Sequence, residues 1–121
     1  MSTIEQIGAF RVQFLPADGP QISDAGDIIG DAWAADAQFI VVPVQRLDPE
    51  FFRLASLVAG DILQKIVNYR LRIAIIGDIS AHVAQSDALR DFVWESNRGQ
   101  QVWFVADLDE LRSRLDVSGP A

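Results

Sequence analysis

The sequence has 121 residues, half of them hydrophobic, with 10 basic and 17 acidic side chains and no cysteine. This length suits one domain over residues 1–121, and the lack of cysteine excludes disulfides, thiolate metal ligands and cysteine nucleophiles. The formal net charge of −7 opposes binding to nucleic acids and anionic membranes, because both depend on clustered basic residues.

The first predicted element is a pair of short strands within residues 4–15, divided by a turn or bulge at Gly8. Apolar and polar residues alternate there, which gives one face of each strand an apolar surface. The alternating apolar residues are Phe10, Val12 and Phe14. A helix is predicted next, from about residue 24 to 35, with Ser23 as its N-cap and Asp24 as an acidic residue that suits the positive helix start.

The apolar run 39–44 has the length of a strand and predicts one that is buried on both faces. Asp48 and Pro49 are typical of a helix start, because an N-cap carboxylate precedes a proline at the first helical position. We predict one long helix from Pro49 to about Asn68, with two adjacent apolar stripes. The second stripe consists of Phe52, Ala59, Leu63 and Val67. Either this helix packs deeply between other elements, or its second stripe contacts another subunit.

Residues 71–76 predict a second core strand, which ends at Gly77 and Asp78 and is followed by a loop through 79–82. A further helix is predicted to run to about Asn97, with Ser86 or Asp87 as its N-cap.

A third core strand is predicted over 101–106, and the capping box 107–110 opens a short C-terminal helix. Residues 117–121 are expected to fray. Strands and helices alternate from about residue 24 to 115, which indicates right-handed crossovers and a mostly parallel sheet. The predicted fold is therefore α/β, with a central sheet of about four or five strands, an N-terminal strand pair and about four covering helices.

This order of elements resembles the STAS domain of anti-sigma-factor antagonists, which implies a STAS-like layered fold. Those antagonists carry a phosphorylatable serine in the turn between the core strand and the next helix. The matching turn here, 46–50, contains no hydroxyl side chain. We therefore do not expect switching by serine phosphorylation at that turn.

Five stretches of the chain carry distinctive sequence words: DPEFFRL at 48–54, AGDILQK at 59–65, NYR at 68–70, AIIGDIS at 74–80 and LRDFVWESNRG at 89–99. They are similar to a family of uncharacterised bacterial proteins, domain of unknown function 4180. This resemblance implies a bacterial cytosolic domain and names no reaction.

Asp78 and Ser80 are the first candidates for a binding site. They follow a core strand at its carboxyl end, which is where open α/β sheets bind their ligands. Asp78 could accept a hydrogen bond from a ligand hydroxyl, and Ser80 could donate one. The alternative, which we favour, is that Asp78 only ties down its own loop as an Asx-turn.

Further candidates lie on the helix before the third core strand. Arg90, Glu95 and Asn97 could present a guanidinium, a carboxylate and an amide to a ligand, or they could serve only the chemistry of the helix end. Trp94 is predicted to project away from the inner face of that helix, where an exposed tryptophan can anchor a protein partner. Alternatively, it folds back onto the loop that holds His82.

No set of residues forms a catalytic signature. His82 is the only histidine, and the loop with Asp78 and Ser80 lacks a nucleophile elbow. We therefore expect no catalytic residues, no cofactor and no metal. The first residues lack the basic and apolar regions of a signal peptide, and no apolar run is long enough to cross a membrane. A cytoplasmic protein is expected.

Two hypotheses follow from these patterns. The first is a non-enzymatic regulatory or protein-interaction domain that binds a protein partner or forms a homodimer, through the second apolar stripe or through Trp94. The alternative is a small-ligand-binding protein or an enzyme that uses the loop 77–82 with the helix end 90–98. The alternative requires Asp78 and Asn97 to converge on one pocket.

Overall fold

The computed structural model describes residues 3–22 and 24–117, which form a five-stranded sheet with helices on both faces. The strands are β1 Thr3–Ile7, β2 Phe10–Phe14, β3 Phe39–Pro43, β4 Arg72–Ile76 and β5 Val102–Val105. The α-helices are α1 Ala25–Ala34, α2 Val58–Asn68, α3 Ser80–Ala84, α4 Asp87–Arg98 and α5 Leu108–Val117. Three 3-10 turns lie between β3 and α2, at Val44–Arg46, Pro49–Phe52 and Leu54–Ser56. The predicted α/β class is confirmed.

The strands lie side by side in chain order, with β1 antiparallel to β2 and every other neighbouring pair parallel. From β2 to β5, each connection therefore leads to the next strand on the same side of the sheet. Right-handed connections that all advance in one direction place their helices on the same face of the sheet. The apolar residues of α1, α2 and α4 share one core cluster. The other face is left to α5, which follows β5 and reaches across to contact β1.

Two hydrophobic cores lie on the two faces of the sheet. The larger one is formed with α1, α2 and α4 and includes Ile28, Ile40, Ile66, Ile75 and Leu89. The smaller one is formed with α5 and includes Phe39, Val41, Trp103, Leu111 and Leu115. Gln13 of β2 is the one buried polar residue among those that the structure describes, and its Oε1 has no hydrogen-bond partner there.

The predicted long helix from Pro49 to Asn68 is wrong in its first half. Asp48 caps a 3-10 turn instead, because its Oδ1 accepts the Glu50 N–H at 2.9 Å. The Ser56 hydroxyl then lies 2.7 Å from two preceding carbonyl oxygens, and Leu57 takes a left-handed conformation at φ +67°. The α-helix therefore begins only at Val58.

The second apolar stripe predicted for this helix is not exposed in the structure. Phe52, Ala59 and Leu63 of the predicted second stripe are buried in the larger core, and Val67 is half-buried. The stripe packs deeply within its own chain, so it offers no free surface to another subunit.

The predicted loop through 79–82 is also wrong in part, since α3 begins at Ser80. The ring of Phe52 stacks on His82, with 4.3 Å between the ring centroids. The predicted cap at Ser86 is confirmed, since Ser86 Oγ accepts the Leu89 N–H. The N-cap of α1 is Asp24, whose Oδ1 accepts the Gly26 N–H, and not the predicted Ser23. Ser23 lies outside the described residues, and so do residues 118–121 of the end expected to fray.

Candidate functional site

A cleft of about 400 Å³ opens at the carboxyl ends of β4 and β5. β4 passes into the cleft through Gly77, whose φ of +138° and contact with Val44 require glycine there. A Cβ at this position would lie 2.8 Å from the Val44 Cγ2. The cleft is lined by Gly77, Asp78, Ile79, Ser80, Val83, Val93, Phe104, Val105, Ala106 and Glu110. Helices α3, α4 and α5 therefore each contribute side chains to it.

Asp78 and Ser80 both line this cleft, at the strand end where the sequence predicted them. The Asp78 carboxylate accepts the Ser80 N–H at 2.9 Å, which is the geometry of an Asx-turn. Hydrogen bonds from the Ser80 side chain and backbone lower the pKa of Asp78 below its ordinary value. The carboxylate therefore remains ionised at neutral pH, on an exposed part of the cleft.

Glu110 is a second acidic residue of the cleft, and the sequence did not single it out as a site residue. It belongs to the predicted capping box, which is confirmed by the Asp107 Oδ1 accepting the Glu110 N–H at 2.9 Å. The Glu110 Oε2 accepts the Ala106 N–H at 3.2 Å, so the carboxylate reaches back to the end of β5. The capping box was the signal that could have placed Glu110 beside that strand end.

Asn97 lies elsewhere, on the open edge of the sheet. Its Oδ1 accepts the Phe104 N–H at 2.7 Å, and its Nδ2 donates to the Phe104 carbonyl at 3.2 Å. These groups of Phe104 point away from β4, because alternate residues such as Val105 make the bonds to that strand. The amide of Asn97 therefore closes part of the β5 edge and is occupied within the chain.

Trp94 projects from the outer face of α4, as predicted, and 60% of it is exposed. The ring that stacks on His82 is that of Phe52 and not that of Trp94. The guanidinium of Arg98 lies 4.6 Å from the centroid of the Trp94 ring. Glu95 pairs with Arg98 at 3.6 Å, and Arg90 pairs with two aspartates of the same helix at 3.3 and 3.5 Å.

The six candidate residues thus lie on different surfaces. Asp78 and Ser80 line the cleft, whereas Arg90, Trp94 and Glu95 are exposed on α4 and Asn97 binds the edge of β5. The alternative hypothesis required Asp78 and Asn97 to converge on one pocket, and the structure does not bring them together.

The described part of the chain contains no group of three or more histidine and acidic side chains positioned to hold a metal ion. None of its helices combines the length and apolar character needed to span a membrane.

The geometry defines an α/β domain with a sequentially ordered sheet, a cleft at the strand ends and an exposed tryptophan on α4. The chain belongs to the family described as Domain of unknown function (DUF4180), whose model matches residues 9–115. The resemblance found in the sequence words is thereby confirmed. No curated protein and no solved structure matches the chain, and the STAS-like topology stays a prediction.

Proposed function

We propose that this chain is a non-enzymatic regulatory or protein-interaction domain of the bacterial cytosol, and that it forms a homodimer through the outer face of α4. The observation that carries the proposal is the exposure of Trp94 in the middle of that face. Tryptophan is enriched among the residues that dominate binding energy at protein interfaces.

The helix that presents Trp94 is held firmly to the rest of the domain. Leu89 buries its inner face in the larger core, and Asn97 ties its end to β5 through two hydrogen bonds. The Arg114 guanidinium of α5 donates to the Asn97 carbonyl as well. A rigid platform loses little conformational entropy when a partner binds, which favours association.

The surroundings of Trp94 also resemble a binding hot spot. The Arg98 guanidinium lies over the ring, and the same helix carries the ion pairs of Glu95 and Arg90. Each charged side chain of α4 has an oppositely charged neighbour on the same helix. The three acidic and two basic side chains leave this helix with a net charge of only −1, so the repulsion between two copies that meet through this face is weak.

Trp33 of α1 is the obvious competitor, since 64% of it is exposed. Its ring meets Tyr69 edge to face, with 6.0 Å between the centroids. However, α1 carries Asp27 and Asp31 and contains no basic residue. In a chain with a net charge of −7, two copies that met through α1 would repel each other.

Sedimentation velocity over a concentration series tests the proposal, with Trp94→Ala compared with Trp33→Ala. We expect the wild-type chain to dimerise weakly, because a contact of one helix face buries less than about 1,200 Å². Trp94→Ala should remain monomeric, and Trp33→Ala should dimerise like the wild type. Circular dichroism confirms that both variants are folded. A wild-type monomer at the highest concentration, or unchanged dimerisation of Trp94→Ala, would refute the homodimer.

A further inference from the structure

The cleft at the ends of β4 and β5 is a separate feature from the Trp94 face, since Trp94 does not line it. From its shape and its charge we infer that it binds a small organic cation, an amine or guanidinium group carried on an apolar body. This site and its ligand class go beyond the proposed homodimer and do not depend on it.

The size and walls of the cleft suit the apolar part of such a ligand. Its volume of about 400 Å³ falls in the usual range for small-molecule sites. The apolar walls come from α3, α4, β5 and the turn after β4, namely Val83, Val93, Phe104 and Ile79. These side chains pack against the larger core on their inner sides, so the walls are supported from behind.

The charge of the cleft selects a cation. Asp78 and Glu110 approach it from different elements, and no basic side chain lines it. Each carboxylate is oriented by a backbone N–H, from Ser80 at 2.9 Å and from Ala106 at 3.2 Å. Oriented carboxylates bind an ammonium or guanidinium group through charge-assisted hydrogen bonds, and they repel anions.

Arg114 interacts electrostatically with Glu110, but its guanidinium is engaged elsewhere. Its guanidinium lies 4.3 Å from the centroid of the Trp103 ring and donates to the Asn97 carbonyl. It therefore does not fill the place of a ligand cation in the cleft. A bare metal ion is a poorer match than an organic cation, because most of the lining is apolar.

Cyclohexylamine, cyclohexanol and cyclohexanecarboxylate are probes of similar shape and different charge. Titration into the ¹⁵N-labelled full chain, followed by amide chemical shifts, tests the inference. Protonated cyclohexylamine should shift the amides of Gly77, Ser80 and Ala106 in a saturable manner. Cyclohexanol, which lacks the charge, should bind more weakly, and cyclohexanecarboxylate should produce no saturable shift of these amides. Ammonium chloride, a cation without an apolar body, should produce none either. Equal effects of the amine and the carboxylate, or none from the amine, would overturn the inference.

Variants then test whether the two carboxylates are responsible. Asp78→Asn and Glu110→Gln should each weaken the binding of cyclohexylamine about fivefold, the effect expected for one exposed charge. Asp109→Asn is the matched control, since Asp109 is an exposed neighbour of Glu110 that does not line the cleft. Asp109→Asn should bind the amine like the wild type. If all three variants weaken binding equally, only the overall charge of the chain attracts the amine, and the site is refuted.

Discussion

Replacing Asn97 with alanine removes both hydrogen bonds between its amide and the backbone of Phe104. Each such bond contributes about 1 kcal/mol net, and leaving the partly buried N–H and carbonyl of Phe104 without partners adds to the loss. We therefore expect the variant to lose about 2–3 kcal/mol of unfolding free energy. The open edge of β5 should also become available for pairing with other chains, which favours aggregation.

Urea denaturation followed by circular dichroism measures this loss, with Asn68→Ala as the matched control. Asn68 also lies near a helix end, but its amide oxygen accepts only an exposed hydrogen bond from Gln64. The control should change the unfolding free energy by less than about 0.5 kcal/mol. If Asn97→Ala is no more destabilising than Asn68→Ala, water replaces the amide at no cost and Asn97 has no structural role at the β5 edge.

Two further substitutions test the backbone and the core. Gly77→Ala should destabilise the fold by about 2 kcal/mol or more, because position 77 has a positive φ and an added Cβ would collide with Val44. Gly60→Ala is the control within α2, where no atom lies near an added Cβ, and it should stabilise the fold by about 0.5–1 kcal/mol. Thermal denaturation distinguishes the two, and shifts of the same sign would contradict the described turn. Gln13→Met should be neutral or stabilise by about 1–3 kcal/mol, because it removes a buried oxygen without a partner. A clear loss of stability in the same melts would mean that this oxygen has a partner in solution.

The alternation of strands and helices was sufficient to predict the class of fold, and the alternation of apolar and polar residues over 10–14 predicted the strand pair at its start. The break before α2 was not predictable from periodicity, because the apolar spacing continues from Phe51 through Ile66. What breaks the helix is a hydroxyl–carbonyl contact of Ser56 and a left-handed leucine at position 57, which leave no periodic signal. The alternative that the second stripe contacts another subunit followed from treating residues 49–68 as one continuous helix.

The site was predictable only for the residues that directly follow a core strand. Asp78 and Ser80 follow a strand directly, so the rule for the carboxyl ends of parallel strands located them. Glu110 was missed because its capping box was interpreted only as a helix start, although the same motif holds its carboxylate against the end of β5. Asn97 was expected either to bind a ligand or to serve its own helix end, but its amide binds the neighbouring strand. The contact between Asn97 and Phe104 depends on how α4 packs beside β5, which local sequence patterns do not specify.

The homodimer through α4 is tested most directly by ¹⁹F NMR of the chain labelled with 5-fluorotryptophan. The three tryptophans give separate probes, since Trp103 is buried and Trp33 and Trp94 are exposed on different helices. Resonances are assigned with Trp94→Phe and Trp33→Phe. On concentration, the Trp94 resonance should move along a saturable curve while those of Trp33 and Trp103 stay in place. A Trp94 resonance that is independent of concentration, or a shift confined to Trp33, would contradict association through this face.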